Sequence, residues 1–455
     1  MPSKSVLVVG SGLAGLTAAV HLSRKGHRVT LAEQKKFLGG RTYSFQDKQT
    51  GEVVDNGQHV LTTTYDSLLE LLEIIGTRDK VCFPDRLQTF FQDPKHGSVW
   101  LRAPKLPGPL APLGGILGMW SLPSIPLIDK LTIFQTGARL APVLLGSIPK
   151  RLDTITAEEW FGELGIPLSV RRAFWYPFTI GTLNEKPDRV SAHLLAQLLR
   201  WGFVRRGKPA SLGYPTTDLG TLFVDPSARF VEKHGGKILT GTTVVNVETD
   251  GKKIAGILCK DGTRLEADAY VLALPGTALA KMIEKPPLSE IPFFHQAKGM
   301  EDAPIVGVNL WFDKPLGTGN SYDGLLDSPI EWVFDRTKMH GKQKDGRYYY
   351  ALIVSASWDL MKMSNTQILE LALDEVRRFY PEARDFKLLH GSVVKEPTAT
   401  FSGTPGFEKK RLPNETPLKN LFLAGDWTKT DLPSTMESAA RSGKWAAEAA
   451  AKYLG

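Results

Sequence analysis

The sequence predicts an α/β protein built around a Rossmann-like parallel sheet that is assembled from separated segments. Three observations support this: a glycine-rich turn after the first predicted strand, an acidic residue after the second, and a short apolar strand ending in Gly-Asp near the C-terminus. The chain has 455 residues, of which 42% are hydrophobic. It is therefore long enough to bury a large core and to form two or three domains.

The first motif lies at the N-terminus. The apolar run Val6–Val9 leads into Gly10-Ser11-Gly12-Leu13-Ala14-Gly15 and an alanine-rich helical stretch, and Glu33 follows 18 residues after the last glycine. A strand, a tight turn, a helix, a second strand and an acid in this order form the βαβ unit that binds dinucleotides. The pattern therefore predicts a dinucleotide cofactor.

Each position of this turn has a physical role. Gly10 permits the turn, Gly12 lets the backbone approach a pyrophosphate, and Gly15 lets the helix pack closely on the strand. Leu13 and Ala14 begin the helix, where free N–H groups and the positive end of the helix dipole attract phosphate. The carboxylate of Glu33 is expected to bind a ribose diol.

A second motif follows Glu33 after six residues, with Gly39, Gly40 and Arg41 in sequence. Two glycines offer another close approach of the backbone, and the arginine offers a cation for the same pyrophosphate. A plain turn with a surface arginine is the alternative.

A third motif lies near the C-terminus, where the run 421–428 is a short apolar strand ending in Gly425 and Asp426, before a helix from about Ser434. A carboxylate at the end of such a strand can accept hydrogen bonds from a polyhydroxylated chain. The start of the following helix, near Met436, can face an electron-rich ring edge.

Composition and charge exclude several classes of protein. Cys82 and Cys259 are the only cysteines and the nine histidines are scattered, so we expect neither disulfides nor a metal site. No secretory signal precedes the first strand, which favours a cytoplasmic protein. The net charge is +8, but the basic clusters are short and no nucleic-acid motif accompanies them. We therefore expect no nucleic-acid partner, and the positive charge leaves contact with an anionic membrane as the open alternative.

The segment 106–128 contains no charged residue in 23 positions, and it contains five prolines and four glycines. The prolines argue against a transmembrane helix, because each removes a backbone donor that lipid cannot replace. Two interpretations remain: an internal cap over the substrate, or a surface that dips into the interface of a membrane. The second would make the protein peripheral on the inner face of the cell membrane.

We predict two domains, each assembled from separated segments. Residues 1–76, 225–285 and 416–455 should form the nucleotide-binding domain, with a glutathione-reductase-like arrangement. Residues 77–224 and 286–415 should form an α+β substrate domain that includes the apolar segment.

Glycine, proline and turn residues indicate where the other helices and strands of the nucleotide-binding domain begin and end. A helix over 66–75 should end at Gly76, and Asp225-Pro226 should cap a second helix. Strands are expected over 242–248, 254–259 and 269–274, since turn residues separate these runs.

In the substrate domain, the first segment is expected to be helical. Its aromatic cluster is a candidate wall for an apolar tunnel or an ordinary core, and it consists of Phe174, Trp175, Tyr176, Phe178 and Trp201. The second segment should contain strands over 305–312 and 348–355 and a helix over 366–380, which Pro381 ends.

Together the three motifs resemble the superfamily of FAD-containing amine oxidases and carotenoid desaturases, which implies FAD as the cofactor. Amine oxidases of this superfamily place a tyrosine where this chain has Thr435, and the animal enzymes attach flavin through a cysteine that residues 395–405 lack. The comparison disfavours an amine oxidase and implies a noncovalent flavin.

The resemblance is closer to the hydroxysqualene dehydroxylases and covers nearly the whole chain. It rests on four stretches of the chain: Asp55–Leu61, Leu183-Asn184 through Ala192, Asp225-Pro226, and Asp426-Trp427-Thr428 followed by Leu432–Thr435. One departure is Ser438, where relatives carry glycine, and it puts close helix packing in doubt.

This resemblance implies further roles in the site. It places Gly57, Gln58 and Val60 beside the flavin ring, with His59 as a candidate general acid, and it lays the backbone near Val245 against adenine. A histidine held only by backbone contacts is the alternative for His59. Asp431 is a weaker candidate acid.

Three functions remain open. The first is the reductive removal of an allylic hydroxyl from hydroxysqualene, a triterpenoid substrate, to give squalene, as in squalene and hopanoid synthesis. The second is an oxidative carotenoid desaturase of the phytoene type with the same cofactor. The third is a flavoprotein scaffold of an isoprenoid complex. The sequence shows one nucleotide-binding pattern, so the electron donor is unknown.

Overall fold

The computed structural model describes residues 3–85, 87–104, 117–204, 211–341 and 345–455. Its strands, in chain order, are β1 Ser5–Val9, β2 Arg28–Ala32, β3 Ser44–Gln46, β4 Val53–Asp55, β5 Leu61–Thr62, β6 Val81–Cys82, β7 Gln88–Asp93, β8 Gly97–Arg102, β9 Leu212–Pro215, β10 Lys237–Leu239, β11 Val244–Thr249, β12 Ile254–Cys259, β13 Arg264–Leu265, β14 Ala269–Leu272, β15 Asp302–Phe312, β16 Tyr322–Leu325, β17 Trp332–Asp335, β18 Tyr348–Val354, β19 Leu388–Phe401 and β20 Leu421–Leu423.

The α-helices in the described ranges are α1 Leu13–Arg24, α2 Asp66–Ile75, α3 Leu127–Leu145, α4 Ala157–Glu163, α5 Leu168–Val170, α6 Tyr176–Leu183, α7 Ala192–Val204, α8 Asp225–Lys233, α9 Gly276–Met282, α10 Arg336–His340, α11 Asn365–Phe379 and α12 Met436–Leu454.

A five-stranded parallel sheet has the order β10–β2–β1–β14–β20. Its strands come from three distant stretches of the chain, so folding joins the N-terminal motif to the C-terminal one. The apolar residues of β1 and β14 are buried on both faces, as expected for the centre of a parallel sheet. The carboxyl ends of β1, β14 and β20 consequently meet at one edge, where the predicted motifs lie.

Helices α1 and α12 pack against each other beside this sheet. Gly443 permits the close crossing, since a Cβ there would lie 2.2 Å from the carbonyl oxygen of Ala14. Ser438 also fits, because it is fully buried and its hydroxyl donates to the carbonyl oxygen of Asp426 at 2.8 Å. The departure at Ser438 therefore leaves the packing intact.

A seven-stranded sheet with the order β19–β15–β18–β17–β16–β7–β8 dominates the remainder. Strands β7 and β8 were not expected, because the sequence favoured helices throughout residues 77–224. They form a hairpin whose turn is fixed by Asp93, which accepts hydrogen bonds from the backbone N–H groups of Lys95 and His96. These side-chain hydrogen bonds stabilise a turn and therefore a hairpin, so the predicted helix is wrong here.

Several predicted boundaries agree with the structure. Helix α2 spans the expected residues and ends at Gly76 with φ +75°. Strand β12 has the predicted bounds, while β14 ends two residues before the expected Leu274. Strands β15 and β18 and helix α11 lie where the sequence placed them, within three residues at each end.

The predicted cap at Asp225 is wrong. The chain is already helical over Gly220–Val224, so Asp225 lies inside a longer helical stretch. The side chain of Asp218 accepts a hydrogen bond from the N–H of Thr221 and supports the earlier start. Burial of Leu222 and Phe223 favours the extra turn over the Asp-Pro signal.

Only part of the segment 106–128 can be compared, because residues 106–116 lie outside the described ranges. Residues 117–120 are helical, and Leu127 begins α3.

Candidate functional site

A cavity of about 770 Å³ is lined by residues of both large sheets. At one end lie the glycine turn after β1 and the residue that follows β2, Glu33. At the other end lie aromatic side chains of α6, α7 and β17. A single cavity therefore joins a polar, nucleotide-like end to an apolar end.

The glycine turn has the geometry that a dinucleotide requires. Gly10 has φ +99°, and a Cβ there would lie 2.4 Å from the carbonyl oxygen of Ala273. A Cβ on Gly15 would lie 1.9 Å from the carbonyl oxygen of Gly10, so only glycine allows α1 to pack this closely. A Cβ on Gly12 would meet no atom within 4 Å and would occupy the cavity that this residue lines.

Glu33 lies on the cavity wall and is held in place by its neighbours. One carboxylate oxygen accepts hydrogen bonds from the N–H of Ser11 at 2.9 Å and from its hydroxyl at 2.6 Å. The other accepts from the N–H of Lys35 at 2.9 Å. Each oxygen keeps further acceptor capacity, so the carboxylate can also bind a diol.

Arg41 and Asp426 meet in the middle of the cavity, although 385 positions separate them. The guanidinium donates to Asp426 at 2.6 Å and to the carbonyl oxygen of Ala399 at 2.9 Å. Burial disfavours the ionised form of Asp426, but Arg41 and a hydrogen bond from Ser434 outweigh it and lower the pKa of the carboxyl group. The site is therefore a charged pair at neutral pH.

A second carboxyl group lies close to this pair. Burial raises the pKa of Asp302, and the negative charges of Asp426 and Glu396 add to the effect, while Thr277 and Arg41 oppose it. Three carboxyl groups, those of Asp426, Asp302 and Glu396, therefore stabilise the charge of Arg41.

The loop of residues 56–60 lines the cavity beyond Arg41. His59 Nδ1 lies 2.9 Å from the carbonyl oxygen of Gly57, so Nδ1 carries the proton and donates. Burial lowers the pKa of His59, and the hydrogen bond to Gly57 opposes this only in part. The imidazole is consequently neutral at pH 7, with Nε2 as an acceptor. A general acid for pH 7 would need a pKa near the ordinary value, and burial moves the pKa of His59 below it.

Helix α12 begins at the same part of the cavity. Thr435 caps it by accepting a hydrogen bond from the N–H of Ser438, and Ser434, Thr435 and Met436 line the cavity. The next residue, Glu437, is fully buried and accepts from the N–H groups of Ser67 and Leu68 at the start of α2. The start of α12 therefore faces the cavity while its first carboxylate fixes a neighbouring helix.

The apolar end is formed by aromatic and aliphatic side chains. Phe174, Phe178 and Trp201 of the predicted aromatic cluster line it, together with Trp332 and Phe334 of β17. The other two members of that cluster do not reach it within the described residues. Trp175 is buried in the core, and the Tyr176 hydroxyl donates to Glu158 at 3.0 Å. The cluster is thus part tunnel wall and part core.

Sequence reasoning missed several polar side chains at the junction of the two ends. Glu396 and Thr398 of β19 line the cavity, and Asn56 Nδ2 donates to Glu396 at 3.3 Å. Asn56 lies within Asp55–Leu61, one of the stretches on which the family resemblance rests. For Glu396 no local signal exists, because pairing of β19 with β15 is what brings it to the cavity.

Most of the predicted site residues line this cavity. They are Gly10, Gly12, Leu13, Ala14, Glu33, Gly40, Arg41, Gly57, Gln58, His59, Val60, Gly425, Asp426 and Met436.

Four candidates are placed elsewhere in the described structure. Gly15 and Gly39 lie behind the wall, where the N–H of Gly39 donates to the carbonyl oxygen of Ser11. Val245 is 37% exposed and does not line the cavity, whereas Val244 does, because successive side chains of β11 point to opposite faces. Thr242, which precedes β11, also lines the cavity. Asp431 is exposed at the surface.

The residues present fit a dinucleotide that carries a ring system. Gly12 and Gly57 are open to the cavity, and a Cβ on Gly40 would lie 2.8 Å from the Cα of Gly12. This close backbone contact forms a cradle that side chains would fill. Glu33 would hold a ribose, Arg41 the pyrophosphate, and the loop 56–60 with α12 the ring.

Comparisons with known proteins agree with this fit. The family model described as flavin containing amine oxidoreductase matches residues 13–451. The 15-cis-phytoene desaturase of Synechococcus elongatus is 26% identical over 98% of this chain and 95% of its own length. The zeta-carotene desaturase of Synechocystis is also 26% identical, over 98% of this chain and 96% of its own.

Among solved structures, cyclohexylamine oxidase from Brevibacterium oxydans superposes with a TM-score of 0.73. It is 17% identical, and the match covers 100% of both chains. This similarity shows that the two proteins share a fold. In the described part of the chain, no helix combines the length and apolar character needed to cross a bilayer.

Proposed function

The chain belongs to the flavin containing amine oxidoreductase family, and on this premise we propose that it removes the allylic hydroxyl of hydroxysqualene reductively to give squalene. FAD is its cofactor, and the protein is an FAD-dependent oxidoreductase. Desaturation of a carotenoid is the second candidate, because the relatives named above are carotenoid desaturases.

One observation carries the choice between these substrates. The apolar end of the cavity meets hydrogen-bonding side chains at its junction with the polar end, among them His59, Asn56 and Glu396. Asn56 and Glu396 already share a hydrogen bond, but the Oδ1 of Asn56 is buried without a partner among the described residues, and such a group is costly. A hydrocarbon has no donor for this oxygen. An allylic alcohol offers a hydroxyl to this junction while its polyprenyl chain fills the apolar end.

When bound and reduced, FAD supplies the hydride that replaces the hydroxyl. The protein binds and orients the chain, excludes water and manages the proton that the departing oxygen needs. His59 lines the cavity and, in this proposal, contacts the hydroxyl. At pH 7 its Nε2 accepts a hydrogen bond and orients the alcohol, and the protonated imidazole, favoured at lower pH, would donate the proton.

The source of substrate is part of the proposal. Helix α3 exposes Leu127, Leu131 and Phe134 at a spacing that places them on one face, and Leu127 is 72% exposed. We propose that this face, together with Ile128, lies in the interface of an anionic membrane, to which the net charge of +8 contributes. A water-insoluble polyprenyl substrate would then enter from the bilayer.

Product analysis tests the proposed reaction. Enzyme with photoreduced FAD is incubated anaerobically with hydroxysqualene, and the lipids are extracted. We expect squalene, and we expect no desaturated carotene when oxidised enzyme is given phytoene. Desaturated carotene without squalene would reverse the assignment.

A further inference from the structure

Arg336 is a buried cation with two partners on the flavin side of the molecule. It begins α10, directly after β17, and is 1% exposed. One Nη donates to Asp55 at 2.8 Å, and the other donates to Oε1 of Gln58. Asp55 directly precedes the loop 56–60 and Gln58 lies within it, so the side chain of Arg336 fixes the first half of this loop.

The contact with Arg336 fixes the orientation of the Gln58 amide. A guanidinium has donors only, so Gln58 must turn its oxygen towards Arg336. Its Nε2 is then the free end, and it has no hydrogen-bond partner in the described ranges. Since Gln58 lines the cavity, the two N–H donors of its amide are available to a bound ring.

We propose that Arg336 is a positioning residue that holds the Gln58 amide with its N–H donors towards the flavin ring and thereby favours the reduced flavin. The proposal rests on the proposed function for the placement of the loop 56–60 beside the ring. It adds a residue that directly follows the seven-stranded sheet and would act on the flavin only through Gln58.

The direction of the effect follows from charge. Reduction adds electron density to the ring, and a hydrogen bond to a charged acceptor is stronger than one to a neutral acceptor. A cavity of low dielectric strengthens it further. The charge of Arg336 itself is offset by Asp55, which also accepts hydrogen bonds from Ser44 at 2.7 Å and from the N–H of Leu219 at 2.8 Å. Gln58 therefore carries the effect.

Arg336 also connects the two ends of the cavity. It follows β17, in which Trp332 and Phe334 line the apolar end. The residue that orients the amide of Gln58 is therefore next in sequence to a strand that lines the apolar end.

The test is the midpoint potential of bound FAD, measured by equilibration with a reference dye. The variants are Arg336→Lys, Gln58→Leu and the double change Arg336→Met with Asp55→Asn. The double change removes both charges, because a single unpaired buried carboxylate risks unfolding. Arg347→Met is the control: Arg347 also joins the β3–β4 turn to the seven-stranded sheet, through Glu52 and the carbonyl oxygen of Thr50, and does not line the cavity.

We expect Gln58→Leu and the double change to lower the ratio of reduced to oxidised flavin about tenfold at a fixed potential, which is about 30 mV for a two-electron couple. Arg336→Lys should give a smaller decrease, and combining Gln58→Leu with the double change should add nothing. Arg347→Met should leave the potential unchanged. An unchanged potential in the double variant overturns the proposal, as does an equal shift in Arg347→Met. The potential needs no substrate, so failure to convert hydroxysqualene would leave this test intact.

Discussion

At the scale of single residues, His59 shows how burial changes a chemical role. The resemblance to a known family suggested a general acid, and the structure gives an imidazole whose pKa is lowered and whose Nδ1 proton is already used by Gly57. A group with a lowered pKa is protonated only below its ordinary value of about 6.5. Proton donation by His59 should therefore increase as the pH falls.

This gives a prediction for the reaction rate. Anaerobic reoxidation of reduced enzyme by hydroxysqualene should accelerate as the pH is lowered from 8 towards 6. His59→Ala should retain FAD, be slower by about 100-fold at low pH, and lose the pH dependence. Stopped-flow absorbance of the flavin measures all three. A variant with the wild-type rate and profile would remove His59 from proton transfer.

The second prediction concerns Glu33 and the affinity for FAD. Replacing it with alanine removes charge-assisted hydrogen bonds to a ribose diol, each worth about 1.5–3 kcal/mol, so FAD affinity should fall about 10- to 100-fold. Equilibrium dialysis or flavin fluorescence measures the dissociation constant. Glu73→Ala, an exposed site on α2, is the control and should bind FAD normally. Equal affinities would show that Glu33 does not hold the ribose.

Glu331 makes a prediction for stability. Burial raises the pKa of its carboxyl group from 4.5 to about 8, although the N–H of Ser355 donates to it at 2.6 Å. Below pH 4.5 both folded and unfolded states are protonated, and above pH 8 the folded state must hold a buried charge. The free energy of unfolding should therefore decline between these limits.

Glu331→Gln should remove this decline, because an amide oxygen can still accept from Ser355. The melting temperature of the variant should exceed that of the wild type at pH 9, and the two should converge near pH 5. Thermal denaturation across this range measures the difference. Parallel curves would mean that Glu331 ionises without cost in the folded protein.

At the scale of elements, the sequence predicts most where a local signal exists. The Gly10–Gly15 turn, α2 with its left-handed Gly76, and β12 follow from local spacing and turn residues. The β7–β8 hairpin was not predicted from the sequence, because it lies within a proline-rich stretch whose neighbours have strong helical patterns. The start of the helical stretch that contains α8 was predicted too late, because burial of Leu222 and Phe223 outweighs the helix-start signal of Asp225-Pro226.

The candidate site divides in the same way. Its nucleotide end carries glycines and an acid at fixed spacing, so it can be predicted. Its substrate end is assembled by pairing of β19 with β15 and of β17 with β18, which brings Glu396, Trp332 and Phe334 together from distant positions. No local pattern encodes such a meeting. The role of Arg336 could not be predicted either, because its partners Asp55 and Gln58 are distant in the sequence.

Helix α3 gives the prediction that belongs to this scale. Leu131→Glu combined with Phe134→Glu should reduce binding to vesicles that contain anionic phospholipid, because charges are costly in the apolar part of the interface. Both side chains are at least half exposed, so folding should be unaffected. Tyr453→Glu, at an exposed site on α12, is the control. Co-sedimentation measures binding, and undiminished binding by the double variant would contradict an interfacial α3.

At the scale of the whole molecule, one cavity links a parallel sheet that suits a dinucleotide to a second sheet that supplies an apolar wall. The N- and C-terminal motifs meet at Arg41 and Asp426, and the inner loop 56–60 is held from the far side by Arg336. The arrangement suits a reaction in which a hydrophobic chain meets a bound flavin away from water.

The central claim is that reducing equivalents pass from the flavin to an allylic alcohol, and a single anaerobic turnover tests it most directly. Photoreduced enzyme is mixed with excess hydroxysqualene, and oxidised flavin and extracted squalene are both quantified. Loss of the hydroxyl as water and gain of a hydride consume one two-electron equivalent. We predict one squalene for each flavin oxidised. Flavin that stays reduced with hydroxysqualene, in an enzyme whose oxidised form desaturates phytoene, would contradict the account.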